Sequence, residues 1–263
     1  MYYKLALVYF TSEFLNEGFF MLKALRITFI SVYFIVLTPI FCFLFLFRPK
    51  HPSNGYWLTK VWCIVSNKVL GVKMKFKDLH HMKENTPCVF VANHQSNYDV
   101  LFFGHIFPKR CVSIGKKSLA YVPFFGWLYW LSGHVLIDRS NKEKAYQTMD
   151  QARVALVKKA TSLWLFPEGT RSKGKGLLEF KKGAFRTAIE SGRPIVPLVA
   201  NSYLKTVNLN KWRSGEVIIK ALPAISTKNL SMDQLDELVE RTRNIMLDQL
   251  ATLDKNSSKA AMA

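Results

Sequence analysis

His94 and Asp99, five positions apart in Asn93-His94-Gln95-Ser96-Asn97-Tyr98-Asp99, carry the most pointed chemistry in this 263-residue chain. In a straight helix, residues five apart differ by about 140° in direction, so the two side chains could not meet. They can meet if His94 lies in a turn after the apolar run Val89–Ala92 and Asp99 in a first helical turn begun by Ser96 or Asn97. The carboxylate then holds one imidazole nitrogen and leaves the other as a general base, as in the His–Asp half of a hydrolytic triad. The plainer reading of the same residues is a core histidine beside an acid at a helix start.

Three further segments place polar residues where apolar runs end. Gly133-His134-Val135-Leu136-Ile137-Asp138-Arg139 delivers an Asp-Arg pair, either a structural ion pair or an anion contact. Phe166-Pro167-Glu168-Gly169-Thr170-Arg171-Ser172 sets Glu168 and Arg171 in a Gly-containing turn, with Arg171 suited to bidentate phosphate binding. Ile195-Val196-Pro197-Leu198 carries a proline that predicts an edge strand or a strand end. Gly169 to Lys175 also fits G-x-x-x-x-G-K, but Gly176 follows where a P-loop needs Ser or Thr for magnesium, so nucleotide hydrolysis is rejected.

The elements that must position these residues alternate. Tyr56–Leu70 reads as a helix, Val72–Lys77 and Cys88–Ala92 as strands, and about Asn97 to Ile106 as a short helix. Strands are expected at Val112–Gly115, His134–Asp138, Leu163–Phe166 and Ile195–Val199. Ser140-x-x-Glu143 reads as a capping box opening a helix to about Lys159, and Ser231-x-x-Gln234 caps a final helix. The prediction is an α/β domain with a central mixed sheet flanked by helices, over residues 53–253, with a frayed tail at 254–263.

An apolar segment precedes that domain. Ile27–Phe47 is 21 residues without a charge between Arg26 and Arg48. As a helix it would reach about 31 Å, close to the thickness of a bilayer's hydrocarbon core, so residues 1–52 read as an extension and a membrane-anchoring helix. Pro39 permits a kink or a re-entrant bend, so the segment crosses the bilayer or dips into one leaflet. It is too long and too far from the terminus for a secretory signal, and the basic flank Arg48, Lys50 and Lys60 points to the cytoplasmic side. Met21 offers a second start just before it. Ser118–Ile137 is also uncharged, but Pro123, Gly126 and Gly133 break it. It reads either as core plus an apolar surface, with Trp127, Tyr129 and Trp130 suited to an interface, or as ordinary core, and composition favours neither.

Composition narrows the partners. The net charge is +19, and residues 48–230 hold 30 bases against 10 acids. Nucleic acid, a phosphorylated substrate and an anionic membrane surface would all be attracted. At 49% hydrophobic the chain is no disordered basic tail. Cys42, Cys63, Cys88 and Cys111 are scattered singly, as expected of buried thiols in a reducing compartment. His80 and His81, being adjacent, are expected to point apart, and no metal site is read.

In this order the four segments resemble the four motifs of the glycerolipid acyltransferase family, above all its bacterial lysophosphatidate-specific branch. NHQSNYD matches the H-x4-D box, GHVLIDR the second block, FPEGTRS the third and IVPL the fourth; His134 is a small departure within the second. The similarity runs from Met21 to the final helix. It implies transfer of a fatty acyl group from coenzyme A or acyl carrier protein to the sn-2 hydroxyl of lysophosphatidate, giving phosphatidate. His94 would take the hydroxyl proton while Asp99 orients it. Glu168, Gly169, Thr170 and Arg171 would hold the glycerol phosphate, with added positive charge from Lys116 and Arg139. No cofactor beyond the acyl donor is implied, the other partner is anionic membrane lipid, and the place is the cytoplasmic face of a bacterial inner membrane.

Other readings are acylation of another lysophospholipid or of glycerol 3-phosphate, a membrane scaffold without activity, and a nucleic-acid-binding protein. The last lacks a basic helix or an aromatic-lined ribonucleoprotein motif.

Overall fold

The computed structural model describes residues 21–138 and 140–262. Helix α1 (Met21–Leu46) is followed by α2 (Asn54–Leu70), β1 (Val72–Lys77), α3 (His80–Glu84), β2 (Val89–Ala92), α4 (Asp99–Phe103) and β3 (Cys111–Lys116). Then come α5 (Phe125–Leu131), β4 (Val135–Ile137), α6 (Lys142–Lys158), β5 (Ser162–Leu165), α7 (Gly183–Ser191), β6 (Ile195–Ala200), β7 (Gly215–Ala221) and α8 (Leu235–Met262). The seven strands form one sheet in the order β1-β7-β6-β2-β5-β3-β4. From β6 to β4 the pairings are parallel, and β7 meets β6 antiparallel, so the sheet is mixed as expected.

Alternation along the central strands builds a core on each face, because successive side chains of a strand point to opposite sides. Val89, Val91, Leu163 and Ile195 pack with Leu156 of α6, Phe185 of α7 and Met246 of α8. Phe90, Ala92, Trp164 and Val196 pack on the other face with Trp62 and Leu70 of α2 and Phe102 of α4. Near-continuous apolar strands such as Val89–Ala92 are what burial on both faces requires.

Helix α1 is, among the described residues, the helix long and apolar enough to cross a membrane. One stripe of it packs on the domain: Phe41 and Phe45 join Leu58, Leu128 and Leu131, and the Phe34 ring lies 4.6 Å from that of Trp62. Its N-terminal turn is held by buried Arg26, which donates to the carbonyls of Leu209, Lys211 and Trp212 and to Ser214 Oγ. Gly71 makes room for that fork. It closes α2 at φ +65°, where a Cβ would meet the Trp212 carbonyl at 2.4 Å and Arg26 Nη2 at 2.8 Å.

Several expectations are corrected. Pro197 lies in the interior strand β6, not at an edge. It pairs with Val91, and the ladder to β7 begins only at Leu198, so the missing N–H falls at that ladder's end while its carbonyl accepts from Leu222. Helix α6 is capped by Asn141, whose Oδ1 accepts from Lys144, while the Ser140 hydroxyl is taken by Asp138. The box Ser231–Gln234 forms as expected. The tail does not fray at Asp254. Helix α8 continues to Met262, because Asp254 and Ser257 bond to the loop after β6. His80 and His81 converge rather than diverge: their rings are 4.0 Å apart on the one-turn helix α3, with Glu84 beside them. Within Ser118–Ile137, Trp127 and Trp130 are exposed, as an apolar surface requires, but Tyr129 is buried with its hydroxyl on Ser113. Cys63, Cys88 and Cys111 are buried free thiols; burial pushes Cys88 up to about 12.

Candidate active site

Strands β6, β2, β5, β3 and β4 are neighbours running the same way, so their C-terminal ends open onto one edge of the sheet. That edge is where ligands bind in open α/β sheets. Segments far apart in sequence meet there. His94 follows β2, Glu168 follows β5, Lys116 ends β3 and Asp138 follows β4.

The turn after β2 brings His94 and Asp99 together. Helix α4 starts only at Asp99, later and shorter than expected, so 94–98 is a turn whose backbone N–H groups face the acid. His94 Nδ1 lies 2.7 Å from Asp99 Oδ2, and the same oxygen accepts from the N–H of Gln95 (2.6 Å) and of Ser96 (3.0 Å). Oδ1 accepts from the Tyr203 hydroxyl at 2.6 Å. The Asp99 side chain is fully buried and that of His94 is 20% exposed. Nδ1 is therefore the N–H that donates to the carboxylate, which leaves Nε2 as the ring's acceptor nitrogen. The His94 ring stacks on Phe166 with centroids 4.1 Å apart and planes at 14°, which fixes its plane.

Glu168 is bonded to two backbone N–H groups. It is buried, Oε1 accepts from the His94 N–H at 2.6 Å and Oε2 from the Leu178 N–H at 3.0 Å. Burial raises its pKa, against the lowering effect of these two bonds. Two backbone bonds between the loops reinforce the contact, Ser172 N–H to the His94 carbonyl (2.8 Å) and Lys173 N–H to that of Gln95 (3.1 Å). Glu168 thus ties the histidine's turn to the loop after β5. Gly169 turns that loop at φ +70°, with Lys181 packed where a Cβ would stand.

Arg171 donates from Nη1 to Asn97 Oδ1 at 2.5 Å, which brings its guanidinium beside the histidine's turn, and Thr170 is exposed next to it. Lys116 is exposed two strand positions from β2. Arg139 lies outside the described residues. Its neighbour Asp138 pairs with Lys117 at 3.1 Å and accepts from Ser140, which holds the Asp138 carboxyl down near 2.

A model of the Acyltransferase family matches residues 73–201. The 1-acyl-sn-glycerol-3-phosphate acyltransferase of Haemophilus influenzae is 35% identical over 243 residues, covering 91% of this chain and 99% of that protein. This chain belongs to the 1-acyl-sn-glycerol-3-phosphate acyltransferase family. Another relative of that name, from Escherichia coli, is 37% identical over 233 residues, 89% of this chain and 94% of that protein. The fold agrees with the crystal structure of the 1-acyl-sn-glycerophosphate acyltransferase PlsC from Thermotoga maritima at a TM-score of 0.71. That match has 21% identity and covers 89% of this chain and 95% of that one.

Two features of this acyltransferase lay beyond sequence reasoning. Tyr203 lies outside the four motifs and comes to Asp99 only because β6 neighbours β2. Gln95 and Asn93 fasten the turn to the end of β6: Gln95 Nε2 donates to the Asn201 carbonyl (2.8 Å), while Asn93 exchanges two bonds with the Ala200 backbone. The signal available was the run of amide side chains in NHQSN, a composition that favours side-chain bonds to backbone.

Proposed function

We propose that this protein transfers a fatty acyl group from a thioester donor, acyl-coenzyme A or acyl carrier protein, to the sn-2 hydroxyl of 1-acyl-sn-glycerol 3-phosphate, giving phosphatidic acid. The observation that carries the mechanism is the 2.7 Å bond from His94 Nδ1 to a carboxylate that is wholly buried. An alcohol is a weak nucleophile at neutral pH. His94 Nε2 takes its proton as the oxygen attacks the thioester carbonyl, and Asp99 stabilises the imidazolium that forms. When the C–S bond breaks, the imidazolium returns the proton to the departing thiolate. The thioester is already activated, so neither a covalent acyl-enzyme nor a cofactor enters the scheme.

Arg171, Thr170 and the Gly169 turn receive the glycerol phosphate, with Lys116 and Arg139 adding positive charge. Glu168 serves this site by holding His94 and the loop. The outward face of α1 carries Phe29, Val32, Val36, Ile40 and Phe43 and contacts the lipid, at the cytoplasmic side of a bacterial inner membrane. Exposed Trp127 and Trp130 of α5, which packs beside α1, continue that surface.

The test offers purified protein in micelles lysophosphatidate, other lysophospholipids and glycerol 3-phosphate, each with labelled acyl-coenzyme A and acyl carrier protein. Phosphatidate is the expected product, and His94→Ala is expected to lower kcat by at least about 10³-fold with unchanged folding. A His94→Ala protein that kept full activity would refute the general-base reading. Activity confined to another acceptor would refute the substrate.

A further inference from the structure

We propose that Tyr203 is a positioning residue for the His94–Asp99 pair: its hydroxyl holds the second carboxylate oxygen and sets how tightly the pair keeps a proton. The inference rests on the general-base reading above and adds a residue from outside the four motifs.

The bonds run in one direction. The Tyr98 N–H donates to Ser96 Oγ at 3.0 Å, and Ser96 Oγ lies 2.8 Å from the Tyr203 hydroxyl. Tyr203 has one proton, and its 2.6 Å partner Asp99 Oδ1 is a carboxylate oxygen that needs a donor. Tyr203 therefore donates to Asp99, and Ser96 donates to Tyr203. On the far side of the carboxylate, Oδ2 receives His94 Nδ1–H and the N–H groups of Gln95 and Ser96.

The scaffold keeps Tyr203 in place. Its side chain is 1% exposed, and its ring meets that of Phe102 edge-on at 4.9 Å. The loop that carries it is fixed from three elements. Ser202 donates from N–H and Oγ to the two oxygens of Asp254 on α8, each at 2.7 Å. Asn201 Oδ1 accepts from the Ile218 N–H of β7, and the Asn201 carbonyl accepts from Gln95. A chain of bonds thus runs from the C-terminal helix through Ser202 and Tyr203 to the base.

The other titratable and charged groups facing the pair are Glu168 and Arg171 from the loop after β5 and Tyr98 within the turn. At Oδ1 the donor is the neutral Tyr203 hydroxyl. Each donor on a carboxylate weakens its hold on a proton. Without the hydroxyl, the His–Asp pair binds a proton more tightly, and the base becomes free only at higher pH.

The test is Tyr203→Phe, which removes one oxygen and keeps the ring, with Ser96→Ala as a second variant that weakens the hydroxyl as a donor. Steady-state acylation is followed from pH 5 to 9, with melting as a control of folding. Tyr203→Phe is expected to lower kcat about 10- to 100-fold with KM within about twofold. It should also move the midpoint of the acid limb of kcat/KM up by about one pH unit, and Ser96→Ala should move it the same way by less. A limb that does not move in either folded variant overturns the proposal, whatever the loss of rate, because a structural defect scales activity without shifting it. If His94→Ala were active, the mechanism itself would fall. An inactive His94→Ala with an unmoved limb in Tyr203→Phe would refute only the role of Tyr203.

Discussion

Replacing Glu168 by Gln separates a carboxylate that binds substrate from one that holds two loops together. The amide keeps the size of the side chain but offers one acceptor oxygen where the carboxylate offers two. Either the His94 N–H or the Leu178 N–H would then face an NH2 group and lose its partner. A buried donor left unpaired costs about 1–3 kcal/mol. Part is recovered, because burial already disfavours the charged form of Glu168, as its raised pKa shows. A net loss of about 1–2 kcal/mol corresponds to a Tm lower by roughly 3–6 °C for a domain of this size. Because either loss loosens the tie between the turn that carries His94 and the loop after β5, kcat should fall about tenfold or more while KM for lysophosphatidate changes little. Thermal unfolding in detergent and steady-state acylation at several acceptor concentrations read both effects. An unchanged melting temperature with a several-fold higher KM would refute the reasoning and return Glu168 to the phosphate site.

Two further outcomes follow from buried side chains. His134 accepts from the Ser113 N–H through Nδ1 and sits against Gly55, Phe107 and Tyr129, and burial lowers its pKa to about 4. The unfolded chain takes up that proton near 6.5 and the folded one near 4, so stability is full above about 6.5 and declines as pH falls toward 4, by on the order of 3 kcal/mol. His134→Gln should flatten this decline in melting curves recorded across that range; an unaltered slope would contradict it. Arg26→Lys keeps the charge but loses the fork that serves four acceptors in 209–214. Limited proteolysis should cut that loop faster, with a Tm lower by several degrees, and equal cleavage rates would refute the clamp.

Much of the site was legible because motif residues sit where short apolar strands end. His94-x4-Asp99 with a turn and a helix start between them has one economical geometry, and the structure has it. The partners of Glu168 were not legible. Its side chain reaches Leu178, ten residues on, and His94, seventy-four residues back, and no local pattern encodes either. Pro197 misled for a related reason. A proline argues for an edge, but whether a missing N–H matters depends on where the neighbouring ladder begins, and here β7 joins only at Leu198. Asp254 looked like the start of a polar tail because its two acceptor bonds are to Ser202, across the fold.

The sequence by itself determined the class of the fold, the apolar helix, the pairing of His94 with Asp99, and the family, since each is written in local composition or in residues a few positions apart. Only the tertiary structure decided which strands are neighbours. The order β6-β2-β5 places the loops after three strands against one another, and so makes Tyr203 a partner of Asp99 and Glu168 a partner of His94. Hydrogen bonds reach about 3 Å whatever the separation along the chain, so contacts between loops follow from the packing of the sheet.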